Sequence, residues 1–259
     1  MNNTINIRGG LVDVGKPCVM GILNVTPDSF FEGSRKQTER DIAERANQII
    51  AEGGCMIDVG ACSTRPGATP VDEEEELRRL TFALPIIRRE QPDAIVSVDT
   101  FRPKVARRCV EQWGADIIND VEGSEEMWQM VASLHTPYIY MSSRPSLHDM
   151  LIEFADVTQR LHGLGINDII IDPGFGFGKT LEQNYRLLSE MERLQVLDLP
   201  ILVGVSRKRM VYQLLGNTPA EALNGTTAIH AIALYKGASI LRVHDVKEAV
   251  EAVHILQQL

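Results

Sequence analysis

Short apolar runs alternate along this chain with longer amphipathic ones. The short runs cover residues 19–23, 56–59, 95–98, 117–118, 138–141, 169–171, 201–203 and 240–243. Several are apolar at consecutive positions and rich in Ile and Val, which suits parallel strands buried on both faces. Between them lie stretches with helical spacing, at residues 39–52, 73–90, 103–113, 125–134, 147–164, 181–194, 220–235 and 246–256. Within 73–90, Leu77, Leu80, Leu84 and Ile87 recur every three or four positions, as one buried helix face requires. Gly53-Gly54, Gly114, Gly165 and Gly237 follow four of these stretches, where left-handed stops belong. Eight strand–helix units predict an α/β fold, a single (β/α)8 (TIM) barrel domain over residues 1–259. The rival, a doubly wound sheet, lacks support in its dinucleotide form, because no G-x-G-x-x-G opens a helix after the first strand. Residues 5–14, with Gly9-Gly10 in the middle, predict a short β-hairpin, so that residues 1–16 cap the barrel.

Bulk properties narrow the class of partner. A chain of 259 residues, 44% hydrophobic, buries enough surface to need no staples. The formal charge of −9 argues against a general nucleic-acid or membrane binder, since no basic excess is available to neutralise phosphates. It leaves room for an anionic small substrate, which needs only a few local cations. The cysteines Cys18, Cys55, Cys62 and Cys109 form no C-x-x-C pair and read as small buried side chains in a reducing cytosol. The polar start of the chain has no apolar signal core, and no run reaches the length of a membrane span. These features predict a cytoplasmic protein. The acidic run at residues 72–76 reads as a solvated helix start that complements the dipole.

Polar residues collect at the ends of the predicted strands. Asn24 follows the first strand, and Asp58 ends the second, with Ser63-Thr64-Arg65 just beyond. Asp99 ends the third strand, Asn119-Asp120 the fourth and Asp172 the sixth. Ser206-Arg207-Lys208 follows the seventh, and Arg242 and His244 end the eighth. In a barrel these ends converge on one face, where such enzymes place their chemistry. Helix capping explains any one such aspartate but not the whole set. Asp58, Asp99 and Asp172, with Asn119, make an acceptor-rich pocket suited to a flat heterocycle that presents N–H donors. Arg65, Arg242, His244 and Lys208 suit a phosphate or diphosphate. The side-chain oxygen of Asn24 suits a hard cation such as Mg2+, which takes few protein ligands.

These segments carry a family resemblance. Gly21-Ile-Leu-Asn-Val-Thr-Pro-Asp-Ser-Phe30, Ser63-Thr-Arg-Pro-Gly-Ala68, Ser97-Val-Asp-Thr100, Ile118-Asn-Asp120, Asp172-Pro-Gly-Phe-Gly-Phe-Gly-Lys179, Ser206-Arg-Lys208 and Leu241-Arg-Val-His-Asp245 resemble, in order, the signature segments of the dihydropteroate synthases. The set spans nearly the whole chain. The resemblance implies a cytosolic (β/α)8 enzyme, a homodimer and a sulfonamide target. Its reaction would condense 6-hydroxymethyl-7,8-dihydropterin diphosphate with p-aminobenzoate, releasing diphosphate with Mg2+ as cofactor. It assigns Asp58, Asp99, Asn119, Met141, Asp172, Phe177, Gly204 and Lys208 to the pterin. Asn24, Thr64, Arg65, Arg242 and His244 go to the diphosphate, with Asn24 also on the metal. Phe30, Thr64, Pro66, Phe177, Lys208 and Arg209 go to p-aminobenzoate. The loops at residues 26–35 and 62–71 are expected to move when the site is empty.

The chain departs from the family pattern in four places. Ala61-Cys62 stands where Gly-Glu is frequent, and Arg209 follows Lys208 where a serine often helps hold the benzoate carboxylate. Ser142-Ser143-Arg144-Pro145 replaces the expected His-Met-x-Gly after Met141. The stretch from there to Asp172 is roughly a dozen residues shorter than usual, counted in helix turns. Two other readings stay open at this point. One is the pterin-binding domain of a folate methyltransferase, which needs no diphosphate cations. The other is a non-catalytic pterin-binding protein, which the altered fifth-strand segment suggests.

Overall fold

The computed structural model describes residues 4–25, 35–62 and 71–259. The chain opens with an antiparallel hairpin, β1 (Thr4–Ile7) and β2 (Gly10–Asp13). Eight parallel strands follow: β3 (Cys18–Asn24), β4 (Met56–Gly60), β5 (Ile95–Asp99), β6 (Ile117–Asp120), β7 (Tyr138–Met141), β8 (Ile169–Asp172), β9 (Leu202–Val203) and β10 (Ile240–Val243). Sequence neighbours pair from β3 through β8, and β10 lies between β3 and β9. A parallel bridge between Ile171 and Ile201 closes the ring, helped by the Ile171 amide donating to Pro200 O at 3.0 Å.

Helices cover the outside: α1 (Arg35–Ala51), α2 (Glu73–Glu90), α3 (Pro103–Trp113), α4 (Glu125–Leu134), α5 (Leu147–Gly163), α6 (Leu181–Glu190), α7 (Arg209–Leu215), α8 (Leu223–Tyr235) and α9 (Val246–Leu256). Gly53, Gly114, Gly165 and Gly237 take positive φ at helix ends, as their positions predict. The helix expected over 181–194 stops at Glu190 and tightens into a 3-10 segment, Met191–Leu197. Helix α7 is absent from the sequence reading, because two turns are too short to display an amphipathic period.

Two apolar cores follow from strand alternation, since successive side chains point to opposite faces. Outward residues such as Ile57, Val59, Val96, Val98 and Val203 pack under the helices with Ile42, Ile49, Leu80 and Leu84. Gly21 lets α1 come close, for a Cβ there would sit 2.6 Å from Ile49 Cγ2. Inward residues Met20, Met56, Ile117, Ile139, Ile170, Leu202 and Ile240 form a separate cluster with Ile5, Ile7 and Val14 of the hairpin segment. The hairpin therefore plugs the end of the barrel where the strands begin. Arg8 fastens it with two bonds of 2.7 and 2.8 Å to Asp116, which also takes Arg88 and the Val96 amide.

Two residues further along five of these strands, the inward position changes character. Met56 gives way to Asp58, Ile117 to Asn119, Ile170 to Asp172, Leu202 to Gly204 and Ile240 to Arg242, while Ile139 is followed by Met141 and Met20 by Ile22. One end of the barrel is thus filled with hydrocarbon, and the other is lined with polar groups.

Candidate active site

Arg242 is the hub of the polar mouth. Its Nε donates to Asp58 Oδ2 and its Nη2 to Asp99 Oδ2, both at 2.6 Å. Asp58 is fully buried, and both its oxygens also accept long bonds of 3.4 Å from Asn119 Nδ2. Burial alone would drive the guanidinium towards neutrality, but Asp58 and Asp99 outweigh it and raise its pKa above the ordinary value. Asp99 is pushed up, first by burial and then by Asp58, Glu76 and Asp120, with Arg242 opposing. The sequence places Arg242 at a diphosphate; the structure also pairs it with Asp58 and Asp99.

Asp172 stands across the mouth at the end of β8, beside Met141 in register. Its Oδ1 accepts the Gly174 amide at 2.7 Å. Burial raises its pKa, with Lys208 and the Gly174 bond opposing. Lys208 is the N-cap residue of α7. Its Nζ donates to Phe175 O at 2.6 Å and lies 4.6 Å from the centre of the Phe177 ring, a cation–π contact. Burial pushes Lys208 down to about 8, against the pull of Asp172. Gly204 keeps the space between Lys208 and Arg242 open, since a Cβ there would lie 3.8 Å from Lys208 Nζ and 3.9 Å from Arg242 Cβ. The backbone turn at Arg207, at φ +54°, sends that side chain away to a bidentate pair with Asp245.

Asp58, Asp99, Asn119, Met141, Asp172, Gly204, Lys208 and Arg242 thus share one mouth, with Phe177 at its edge. His244 lies two residues past Arg242, its ring Nδ1 and its amide both 3.1 Å from Ser206 Oγ. Arg209 is exposed in the first turn of α7. Asn24 is exposed at the end of β3. Gly60 keeps the space beside it open, because a Cβ there would come within 3.5 Å of Asn24 Oδ1 and 3.8 Å of Asp99 Oδ2. Phe30, Thr64, Arg65 and Pro66 lie outside the described residues, as do most of the two loops expected to move.

Among the described residues, no group of three or more His, Cys, Asp or Glu is arranged to cage a metal. An exposed amide oxygen beside a carboxylate fits the other mode, in which Mg2+ takes one or two protein ligands and gains the rest from substrate phosphate and water.

Three features escaped the sequence reading. Ser206 orients His244, and it follows directly from the Ser206-Arg207-Lys208 run already noted. Lys179, the last residue of the Asp172–Lys179 segment, is buried, with its ammonium on three backbone carbonyls: Ser142 O at 3.2 Å, Gly174 O at 3.0 Å and Phe177 O at 3.2 Å. Burial pushes it down to about 8. The acidic run at 72–76 starts a helix as expected, with Asp72 capping the Glu75 amide. Glu76, however, is not solvated. It is fully buried and ion-paired to Arg102, which reaches back from the N-cap of α3.

Comparison with known proteins agrees with this geometry. The profile of the family described as pterin binding enzyme matches residues 20–244. Dihydropteroate synthase from Escherichia coli is 39% identical, over 96% of this chain and 94% of its own length. Xanthomonas albilineans dihydropteroate synthase with 4-aminobenzoic acid superposes with a TM-score of 0.87 at 37% identity, covering 100% of this chain and 98% of that one. The same enzyme in complex with indole-2-carboxylic acid and 6-chloroguanine gives 0.90 at 35% identity, covering 99% and 98%. The chain therefore belongs to the pterin binding enzyme family, among its dihydropteroate synthases, which are transferases.

Proposed function

We propose that the barrel mouth joins 6-hydroxymethyl-7,8-dihydropterin diphosphate to p-aminobenzoate, giving 7,8-dihydropteroate and diphosphate for folate biosynthesis. The observation that carries this reading is one pocket that brings together the acceptors Asp172, Asp99 and Asn119 and the cations Arg242, Lys208 and His244. The acceptors match the N–H edge of an aminopyrimidinone ring, and a relative binds 6-chloroguanine, which carries the same 2-amino group on a pyrimidine ring. A non-catalytic pterin binder or a methyltransferase domain has no use for the cations, and the relatives match over nearly their full length.

The roles follow from charge. Asp172 accepts from the amino-pyrimidine edge, with Asn119 and Asp99 alongside and Asp58 beneath. Met141, Gly204 and Phe177 supply apolar and open surface for the ring. The C–O bond of the pterin methylene breaks with its electron pair leaving on diphosphate. The arylamine nitrogen of p-aminobenzoate then forms the C–N bond and loses its proton. No protein nucleophile is required, so catalysis is positioning and electrostatic stabilisation. Arg242, His244, Thr64 and Arg65 stabilise the departing diphosphate. Lys208 orients rather than activates, because its charge opposes a developing pterin cation, and Asp99 and Asp172 offset it. Mg2+ bound through Asn24 would add positive charge at the leaving group. Phe30, Thr64, Pro66, Phe177, Lys208 and the first turn of α7 with Arg209 hold p-aminobenzoate, whose carboxylate suits a helix N-terminus and a guanidinium.

No described helix is long and apolar enough to cross a membrane, which accords with a cytoplasmic enzyme. Leu214 and Leu215 on α7, Ile232 and Tyr235 on α8 and Ile255 on α9 are exposed apolar side chains on successive helices, a face suited to a homodimer. Titration calorimetry tests the functional reading. The pterin diphosphate should bind more tightly with Mg2+ than without, and methyltetrahydrofolate should not bind. The reverse pattern would replace this reading with the methyltransferase one.

A further inference from the structure

Lys179 is a buried charge with no place in the mechanism above. It is 5% exposed, and a methionine of similar length would fill its space at lower cost, since a desolvated ammonium is expensive. What methionine lacks is donors. The three N–H groups of the ammonium meet three carbonyls that belong to two different loops: Ser142 from the loop after β7, and Gly174 and Phe177 from the loop after β8.

Those loops touch at Gly174. A Cβ there would lie 2.2 Å from Ser142 O, and the residue takes φ +63°, so only glycine fits. The Ser142 amide in turn donates to Asp172 O at 2.9 Å. Two of the three carbonyls lead straight into the pocket. The amide of Gly174 holds the Asp172 carboxylate, and Phe177 carries the ring beside Lys208. Lys208 grips the same loop from the pocket side through Phe175 O, and Asn184 fixes its crest by accepting the Gly176 amide at 2.7 Å.

We infer that Lys179 is a positioning residue whose ammonium, seated on the carbonyls of Ser142, Gly174 and Phe177, fixes Asp172 and Phe177 in the orientation that meets the pterin. The inference rests on the reading of Asp172 as the pterin carboxylate. Lys179 also gives the short Ser142-Ser143-Arg144-Pro145 segment a function. Its first residue supplies one carbonyl of the seat, while the Ser142 hydroxyl and Arg144 are held by Glu153 of α5.

The test compares two ligands, the pterin diphosphate and inorganic pyrophosphate, by calorimetry on Lys179→Met and Asp172→Asn. Orphaning three buried carbonyls should raise the pterin Kd of Lys179→Met by about tenfold or more. Pyrophosphate, which addresses Arg242 and His244, should bind within about twofold of wild type on the same reasoning. If Asp172→Asn weakens the pterin but Lys179→Met does not, the inference about Lys179 is overturned. If Asp172→Asn leaves the pterin Kd unchanged, the underlying reading of Asp172 fails instead. Equal losses of both ligands in Lys179→Met would make Lys179 general support for the fold and also overturn it. Should Lys179→Met not fold, Lys179→Ala kept in ethylammonium chloride takes its place. Pterin affinity should then fall when ethylammonium is exchanged for tetramethylammonium at equal ionic strength, because only the primary ammonium can donate into the seat. Identical affinity in the two salts would contradict the inference.

Discussion

Replacing Arg242 by Met tests the centre of the electrostatic account. The substitution keeps most of the side-chain volume and removes two charge-assisted bonds of 2.6 Å, one to Asp58 and one to Asp99. Asp58 is then a fully buried carboxylate left with two long bonds from Asn119. Breaking a buried pair from one side costs about 3–5 kcal/mol. Arg242 keeps 20% of its side chain exposed, so water can reach the site once it is truncated, and the low end, about 3 kcal/mol, is expected. In a chain of this size that lowers Tm by roughly 6–12 °C. Adding Asp58→Asn removes the orphaned charge, so the double variant should recover at least about 1.5 kcal/mol, read from a denaturant double-mutant cycle. The pH dependence has a definite sign. Burial holds Asp99 up at about 7, so it binds its proton more readily folded than unfolded, and the deficit of Arg242→Met should shrink as pH falls through that range. A loss below about 1 kcal/mol, or additivity within about 0.5 kcal/mol in the cycle, would refute the assignment of Arg242 as the counter-ion of this pocket.

Asp172→Asn should cost about 2–4 kcal/mol of pterin binding in calorimetry, because it turns one acceptor into a donor facing the ring's own donors. Lys208→Ala should weaken the pterin and slow turnover while far-UV circular dichroism stays unchanged, and Lys208→Arg should not restore either, since a planar fork cannot occupy the seat of a point ammonium. With Lys208 held down to about 8 by burial, pterin affinity should fall as pH rises through that value as the ammonium is lost. The same lysine should make the fold more stable over that range, because the unfolded chain then binds more protons than the native one. An affinity that stays flat from about pH 7 to 9.5 would count against the lysine. Arg242→Ala should weaken the pterin diphosphate more than the free pterin alcohol, whose smaller loss reflects the unpaired Asp58 and Asp99, and equal losses would confine Arg242 to the ring side.

Much of the barrel is legible in the sequence, because its signals are local. A run such as Ile169-Ile170-Ile171 admits few structures other than a strand covered on both faces. The polar residues that end the strands, Asp58, Asp99, Asn119, Asp172 and Arg242, do converge on one mouth. What the sequence hides is pairing at a distance. Sorting acids to the ring and bases to the diphosphate overlooks Arg242 bridging to Asp58, 184 residues away in the chain. Glu76 looks like one more member of an exposed acidic run, and only α3 packing against α2 brings Arg102 to it. Lys179 hides for a related reason. Its partners are backbone carbonyls, which no residue pattern displays, and it shows itself only once the glycines of its loop have bent them inward.

Diphosphate release in a coupled assay addresses the central claim most directly. The account predicts release only when the pterin diphosphate and p-aminobenzoate are both present, in equal amounts with dihydropteroate, and greatly reduced with Asp172→Asn or Lys208→Ala. Release that is independent of p-aminobenzoate, or no release from a protein that binds both substrates, would contradict it.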